Sequence, residues 1–166
     1  MKYVDDRLHE KIYKEVRMKR YYFSHQTGDR HEGKVVADRL RDDLDINIVN
    51  PFYDKHNVPT KEIEALDQGI KLEEIGVCSA EIVGVDERKV RTADGVIAYL
   101  SKDCFTFGCP VEMYIAHMIG KPVYTISPLL KIRKHPFVRH YSWEIFGSVD
   151  DFVDWYCMNI RGTQRI

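Results

Sequence analysis

Two carboxylates stand where an acidic side chain costs free energy unless something uses it. Glu112 is the sole acid in "FTFGCPVEMYIAHMIGKP" (105–122), an otherwise largely apolar run that reads as the start of a buried helix. Asp86 interrupts the apolar stripe of "SAEIVGVDERKVRTAD" (79–94). There Ile82, Asp86 and Val90 fall at four-residue steps and share one helical face. An ionised, partly desolvated carboxylate at the carboxyl end of a sheet is equipped to act as a nucleophile. Each acid also has a structural reading. Glu112 would be the third helical residue of a capping box, with Cys109 as the cap and Pro110 as the first helical residue. Cysteine is a poor cap, however, and the helix N-terminus would stabilise the anion by about 0.3–1 kcal/mol. Asp86 would form a partly buried ion pair with Arg88 or a neighbouring loop, or else point into a pocket.

Weaker signals surround the pair. "TGDR" (27–30) reads either as a plain turn or as small polar residues and an arginine that hold hydroxyls or a phosphate. Tyr22 in "RYYFS" (20–24) is by default a core tyrosine. Thr106 and Gly108 offer a hydroxyl and backbone N–H groups beside a helix start, a modest anion-site signal. Asp94 reads as a structural residue at the amino end of a strand. No GxGxxG and no GxxxxGK[ST] occurs, so the standard dinucleotide and P-loop sites are excluded.

The elements that must position these residues alternate along the chain. A charged N-terminal helix is predicted over 5–18 and a strand over 20–24. A helix follows over 32–44, where Val35, Val36, Leu40 and Leu44 have helical spacing. "INIVNP" (46–51) is a strand closed by proline, and 55–75 is a partly helical excursion. Ser79 caps a helix to about 92, "DGVIAYL" (94–100) is a strand, and a helix from 110 ends near Gly120. "KPVYTIS" (121–127) is a buried strand, "WEIFGS" (143–148) a weaker one, and 149–160 an amphipathic helix. The stretch "KIRKHPFVRHYSW" (131–143) mixes cations and aromatics, which would suit nucleic acid, but reads first as a solvated loop. Such alternation implies an α/β fold, a flavodoxin-like doubly wound five-stranded parallel sheet in the order 2-1-3-4-5 with helices on both faces. Ligands bind such sheets beyond the carboxyl ends of the strands, here 24–30, 51–54, 101–110 and 127–130.

Composition narrows the class. The chain has 166 residues, 31% charged and 44% hydrophobic, with a formal net charge of −1. That suits one domain, 1–166, whose residues 1–19 form a helical extension. It offers no bulk basic surface for nucleic acid. No run approaches the roughly 18 apolar residues of a membrane span. Cys78, Cys104, Cys109 and Cys157 contain no CxxC pair and read as reduced thiols of a cytoplasmic protein. Neither His25 with His31 nor His135 with His140 has an accompanying set of metal ligands.

Together, "RYYFS", "VDERKVRTADGVIAYL" and "FTFGCPVEMYIAHMIGKPVY" resemble the nucleoside 2-deoxyribosyltransferase family and its relatives, the 2′-deoxynucleoside 5′-monophosphate N-glycosidases. The resemblance spans about 20–127. It includes Asp86 eight residues before Asp94 and a glutamate opening the helix before "GKPV". It implies that Glu112 attacks C1′ of the sugar to form a covalent glycosyl intermediate. It further implies that Asp86 holds a sugar hydroxyl or shuttles a proton, and that Tyr22 orients Glu112. Water or a second base then resolves the intermediate, with no metal or redox cofactor. Substrate contacts are expected from Thr106, Gly108 and the first loop through Ser24, His25, Gly28 and Arg30. The transferases carry an aspartate six residues before the nucleophile, whereas this chain has Thr106. An uncharged residue there suits a 5′-monophosphate and hydrolysis, with base transfer as the alternative. A non-catalytic nucleotide sensor is an alternative of another class. The resemblance also implies assembly into at least a dimer.

Overall fold

The computed structural model describes residues 18–53, 59–103 and 107–161. The N-terminal helix expected before residue 18, Cys104 and Thr106 lie outside the described residues. Five strands form one parallel sheet in the order β2-β1-β3-β4-β5, as the alternation of elements requires. They are β1 (Arg20–His25), β2 (Asn47–Val49), β3 (Gly95–Tyr99), β4 (Val123–Ile126) and β5 (Glu144–Phe146).

The two faces of β1 serve two different layers, because successive strand residues point to opposite sides. Tyr21 and Phe23 join α1 (Arg30–Leu44) and α7 (Val149–Tyr156) in one core, with Leu40, Leu44, Phe152 and Tyr156 fully or nearly fully buried. Tyr22 belongs to the other core. There Val90 of α3 (Ser79–Thr92) and Cys109, Met113 and Ala116 of α4 (Gly108–Met118) pack on Val96 and Ala98. At the amino end of the sheet, the backbone N–H of Arg20 donates to Asp94 Oδ2 at 2.7 Å, so Asp94 ties β1 to the approach to β3.

Several elements differ from the sequence-based expectation. The loop expected over 131–143 contains two short helices, α5 (Leu130–Arg133) and α6 (Pro136–Tyr141). Pro136 opens α6, where its missing N–H costs nothing, and Ile132, Val138 and Tyr141 pack on the second core. The excursion over 55–75 is partly helical as expected: its described part contains α2 (Lys61–Asp67), which buries Ile63 and Ala65, and a 3-10 turn Leu72–Ile75. The helix expected to be capped by Ser79 is capped one residue earlier by Cys78, whose N–H donates to Glu81 Oε2 at 3.2 Å.

Gly95 lets β3 pass close to Pro122 and to Tyr21 of β1. A Cβ there would lie 2.8 Å from the Pro122 carbonyl oxygen and 2.9 Å from Tyr21 Cε1. Gly95→Ala is expected to destabilise the protein by about 1–3 kcal/mol through overpacking. Urea denaturation checks this: the midpoint should fall with the slope unchanged, and an unmoved midpoint contradicts the packing described.

Candidate active site

Helix α4 begins at Gly108, two residues before the expected start, and Phe107 is its cap residue. Pro110 still falls in the first turn, where its missing N–H has no intrahelical role. Cys109 is consequently a buried helical residue and not a cap. Glu112 lies beyond the first turn, so the capping-box reading does not hold. Its carboxylate reaches β1 instead. The Tyr22 hydroxyl donates to Glu112 Oε1 at 2.8 Å, and the Ser24 hydroxyl donates to Oε2. Both carboxylate oxygens are therefore held by hydroxyls from alternate residues of one strand, and both donors are fully buried.

The electrostatics follow from this enclosure. Desolvation pushes the Glu112 carboxyl up to about 6. The Ser24 and Tyr22 hydrogen bonds act against that rise, the nearby Asp86 charge adds to it, and Lys89 opposes it. Burial likewise raises Asp86, against the pull of Lys89 and the Tyr22 hydroxyl. Tyr22 is held protonated far above its ordinary range by burial and by the Glu112 and Asp86 charges. Tyr22 thus stands between the two acids as a permanent donor. The ion pair of Asp86 is with Lys89 at 3.4 Å, one turn on, and not with Arg88.

Asp86 and Lys89 line a cavity of about 770 Å³ that Thr27, Phe52, Ile63 and Leu72 help to close. Glu112 adjoins this wall without forming part of it. The remaining sequence-derived candidates separate. Thr27 is the residue of "TGDR" that reaches the cavity. Gly28 sits in the 3-10 turn Thr27–Asp29 with open space around it. Arg30 donates to the Thr27 carbonyl at 3.1 Å and pairs with Asp67, so it ties α1 to α2. The His25 ring is buried beneath Gly33, where a Cβ would come within 2.5 Å of it. Its nitrogens lie 3.2 Å from the Gln26 carbonyl and 3.2 Å from Asn50 Oδ1. A Cβ on Gly108 would lie 3.8 Å from Glu112 Oε1, in ordinary contact. The hydroxyl of Ser24, a residue expected at the substrate, donates to Glu112. Among the described residues, no group of three or more His, Cys, Asp or Glu side chains is placed to share a metal ion. None of the helices among them is long and apolar enough to cross a membrane.

No family model and no curated protein matches the chain. Solved structures do. A 2-deoxyribosyltransferase from Bacillus psychrosaccharolyticus superposes with a TM-score of 0.59 at 17% identity, over 81% of this chain and 90% of that one. A conserved protein from Enterococcus faecalis gives 0.58 at 15% identity, over 82% and 96%. A CMP N-glycosidase from Clostridium botulinum gives 0.53 at 13% identity, over 86% and 100%. At these identities the likeness establishes the fold: the chain shares the architecture of a deoxyribosyltransferase and of a nucleotide N-glycosidase.

The raised Glu112 carboxyl has a cost that can be measured. Its proton is bound more tightly in the folded chain than at the ordinary value of 4.5, so stability is fully present below that value and falls as pH rises through about 6. The difference corresponds to about 2 kcal/mol. Glu112→Gln is therefore expected to be more stable than the wild type at pH 8, with the advantage fading by pH 4. Urea titrations at the two pH values check this, and a pH-independent difference contradicts the assignment.

Proposed function

We propose that this protein is an enzyme that hydrolyses the N-glycosidic bond of a (2′-deoxy)nucleoside 5′-monophosphate through a glycosyl ester on Glu112. The observation that carries the reading is the Glu112 carboxylate. It is clamped by Tyr22 and Ser24, raised to about 6, and set beside a second acid that lines a cavity large enough for a nucleotide. The shared fold of a deoxyribosyltransferase and a CMP N-glycosidase supports the same class of chemistry.

In this reading the sugar enters at the Asp86 end of the cavity with C1′ against Glu112. A Glu112 oxygen forms a bond to C1′ as the C1′–N bond breaks, and the bonding pair leaves with the base. The transition state carries oxocarbenium-like positive charge, which an adjacent carboxylate stabilises. Asp86 holds a sugar hydroxyl or delivers the proton that the departing base takes up. Water then attacks C1′, releases Glu112 as a carboxylate and loses its proton to the site. Tyr22 and Ser24 keep the nucleophile oriented throughout. Thr106, six residues before Glu112, is assigned to the phosphate side because its side chain adds no negative charge.

Glu112→Ala is expected to lower the rate of base release from dCMP or dGMP by at least about 10³-fold, because it removes the nucleophile. Near-normal turnover in the variant would contradict the assignment. Release that needs an added acceptor base marks a transferase, and tight binding without release over hours marks a sensor.

We also infer that the protein works as at least a dimer. Phe107, Val111, Tyr114 and Met118 are 76, 50, 43 and 62% exposed and fall at the alternating four- and three-residue steps of a helix–helix seam. A second copy would cover this stripe, which lies on the helix that carries Glu112. Analytical ultracentrifugation is expected to show a dimer for the wild type and a monomer for Met118→Lys. A monomeric wild type at tens of micromolar contradicts it.

A further inference from the structure

We propose that Lys89 is a positioning residue that serves as the shared counter-charge of the site, fixing Asp86 on the cavity wall and allowing Asp86 and Glu112 to stand ionised together. The proposal rests on the reading of Glu112 as a nucleophile that must be charged.

The geometry singles out Lys89. It follows Asp86 by one turn of α3, its Nζ lies 3.4 Å from Asp86 Oδ1, and both side chains line the cavity. The two are only about a quarter exposed, at 27 and 24%. Arg88, the cation expected to pair with Asp86, runs back along the helix instead: its Nη1 lies 3.6 Å from where a Cβ on Gly84 would stand. The groups that act on the two acids come from four elements. They are Tyr22 and Ser24 on β1, Glu62 on α2, Asp86 and Lys89 on α3, and Glu112 on α4; the charged side chains of Lys61, Glu81 and Arg88 line the same cavity. Three of the acting groups are carboxylates, and Glu62 adds its negative charge to the burden on Asp86. Lys89 acts on both Asp86 and Glu112.

Like charges in a shared, partly desolvated site drive one of them to take up a proton. Hydroxyl donors oppose this for Glu112, but they bring no net charge. The lysine does, and its three donors allow it to hold Asp86 while still facing the cavity. An exposed pair at this spacing would contribute almost nothing. Here the partial burial of both partners preserves the effect.

The test reads the carboxylates directly in the full chain without substrate, by carbon-13 NMR titration of the glutamate side chains, with the Glu112 signal assigned by its loss in Glu112→Gln. In Lys89→Met the Glu112 midpoint is expected to rise by at least about half a pH unit, and in Lys89→Arg to stay where it is in the wild type. Lys89→Gln repeats the neutralisation if the methionine variant does not fold. An unmoved midpoint in a folded neutral variant overturns the proposal. An equal rise in Lys89→Arg also overturns it, because packing and not charge would then be responsible. The acid limb of kcat/KM should rise with the titration midpoint, whereas a merely structural role would lower the rate at every pH without moving the limb. If the protein cleaves no nucleotide, the titration still decides the role of Lys89, so the two readings fail separately.

Discussion

A carboxylate removed from water and then held by two neutral hydroxyls is the constraint on which this site depends. Desolvation alone would leave Glu112 protonated and inert near neutrality. Two full charges pressed against it would pin it as a fixed anion with little reactivity. Tyr22 and Ser24 achieve an intermediate state: each satisfies one oxygen, neither carries charge, and the group comes to rest near pH 6. Tyr22 remains a donor over the whole working pH range, because its ionisation is suppressed further by the same burial and by both neighbouring acids.

The fold supplies what the clamp needs. Alternation along β1 sends Tyr21 and Phe23 into one core and frees Tyr22 and Ser24 to face the other. Small partners keep that second face close. Ala98 lies beside Ser24 in the β1–β3 register, and Ala116 packs on the same side from α4. The parallel topology brings the start of α4 and the carboxyl ends of β1 and β3 to one edge of the sheet, where the order of strands reverses and a crevice opens. Glu112, its clamp and the Asp86 wall of the cavity thus come from α4, β1 and α3, elements far apart in the chain but packed together in the fold.

The strands and long helices were legible from the sequence because hydrophobic period and turn residues agree there. The order of the sheet followed from right-handed crossovers. Glu112 and Asp86 stood out because each breaks an apolar pattern, and the structure brings them together with Tyr22. Other features left no such trace. A serine within a strand has no distinguishing pattern, so nothing in the sequence marks the Ser24 hydroxyl as a donor to Glu112. Arg30 and His25 look like ligand contacts by residue type, yet one is drawn to Asp67 and the other lies beneath Gly33, contacts that depend on tertiary packing. The cations of 130–141 hid two short helices, because the apolar residues that anchor them are too few to show a period. Lys89 sits among other charges in "DERK" and shares the cavity wall with Arg88, and only its ion pair with Asp86 separates the two.

The most direct measurement is to trap the intermediate. A 2′-fluoro nucleoside monophosphate slows both steps by destabilising positive charge at C1′, and so favours accumulation of the ester. After incubation and acid quench, intact-mass analysis should show the chain heavier by one fluorinated sugar phosphate, with the added mass on the peptide that contains Glu112 and absent from Glu112→Gln. Base released with no adduct at any time, or an adduct on another residue, would contradict the assignment of Glu112 as the nucleophile.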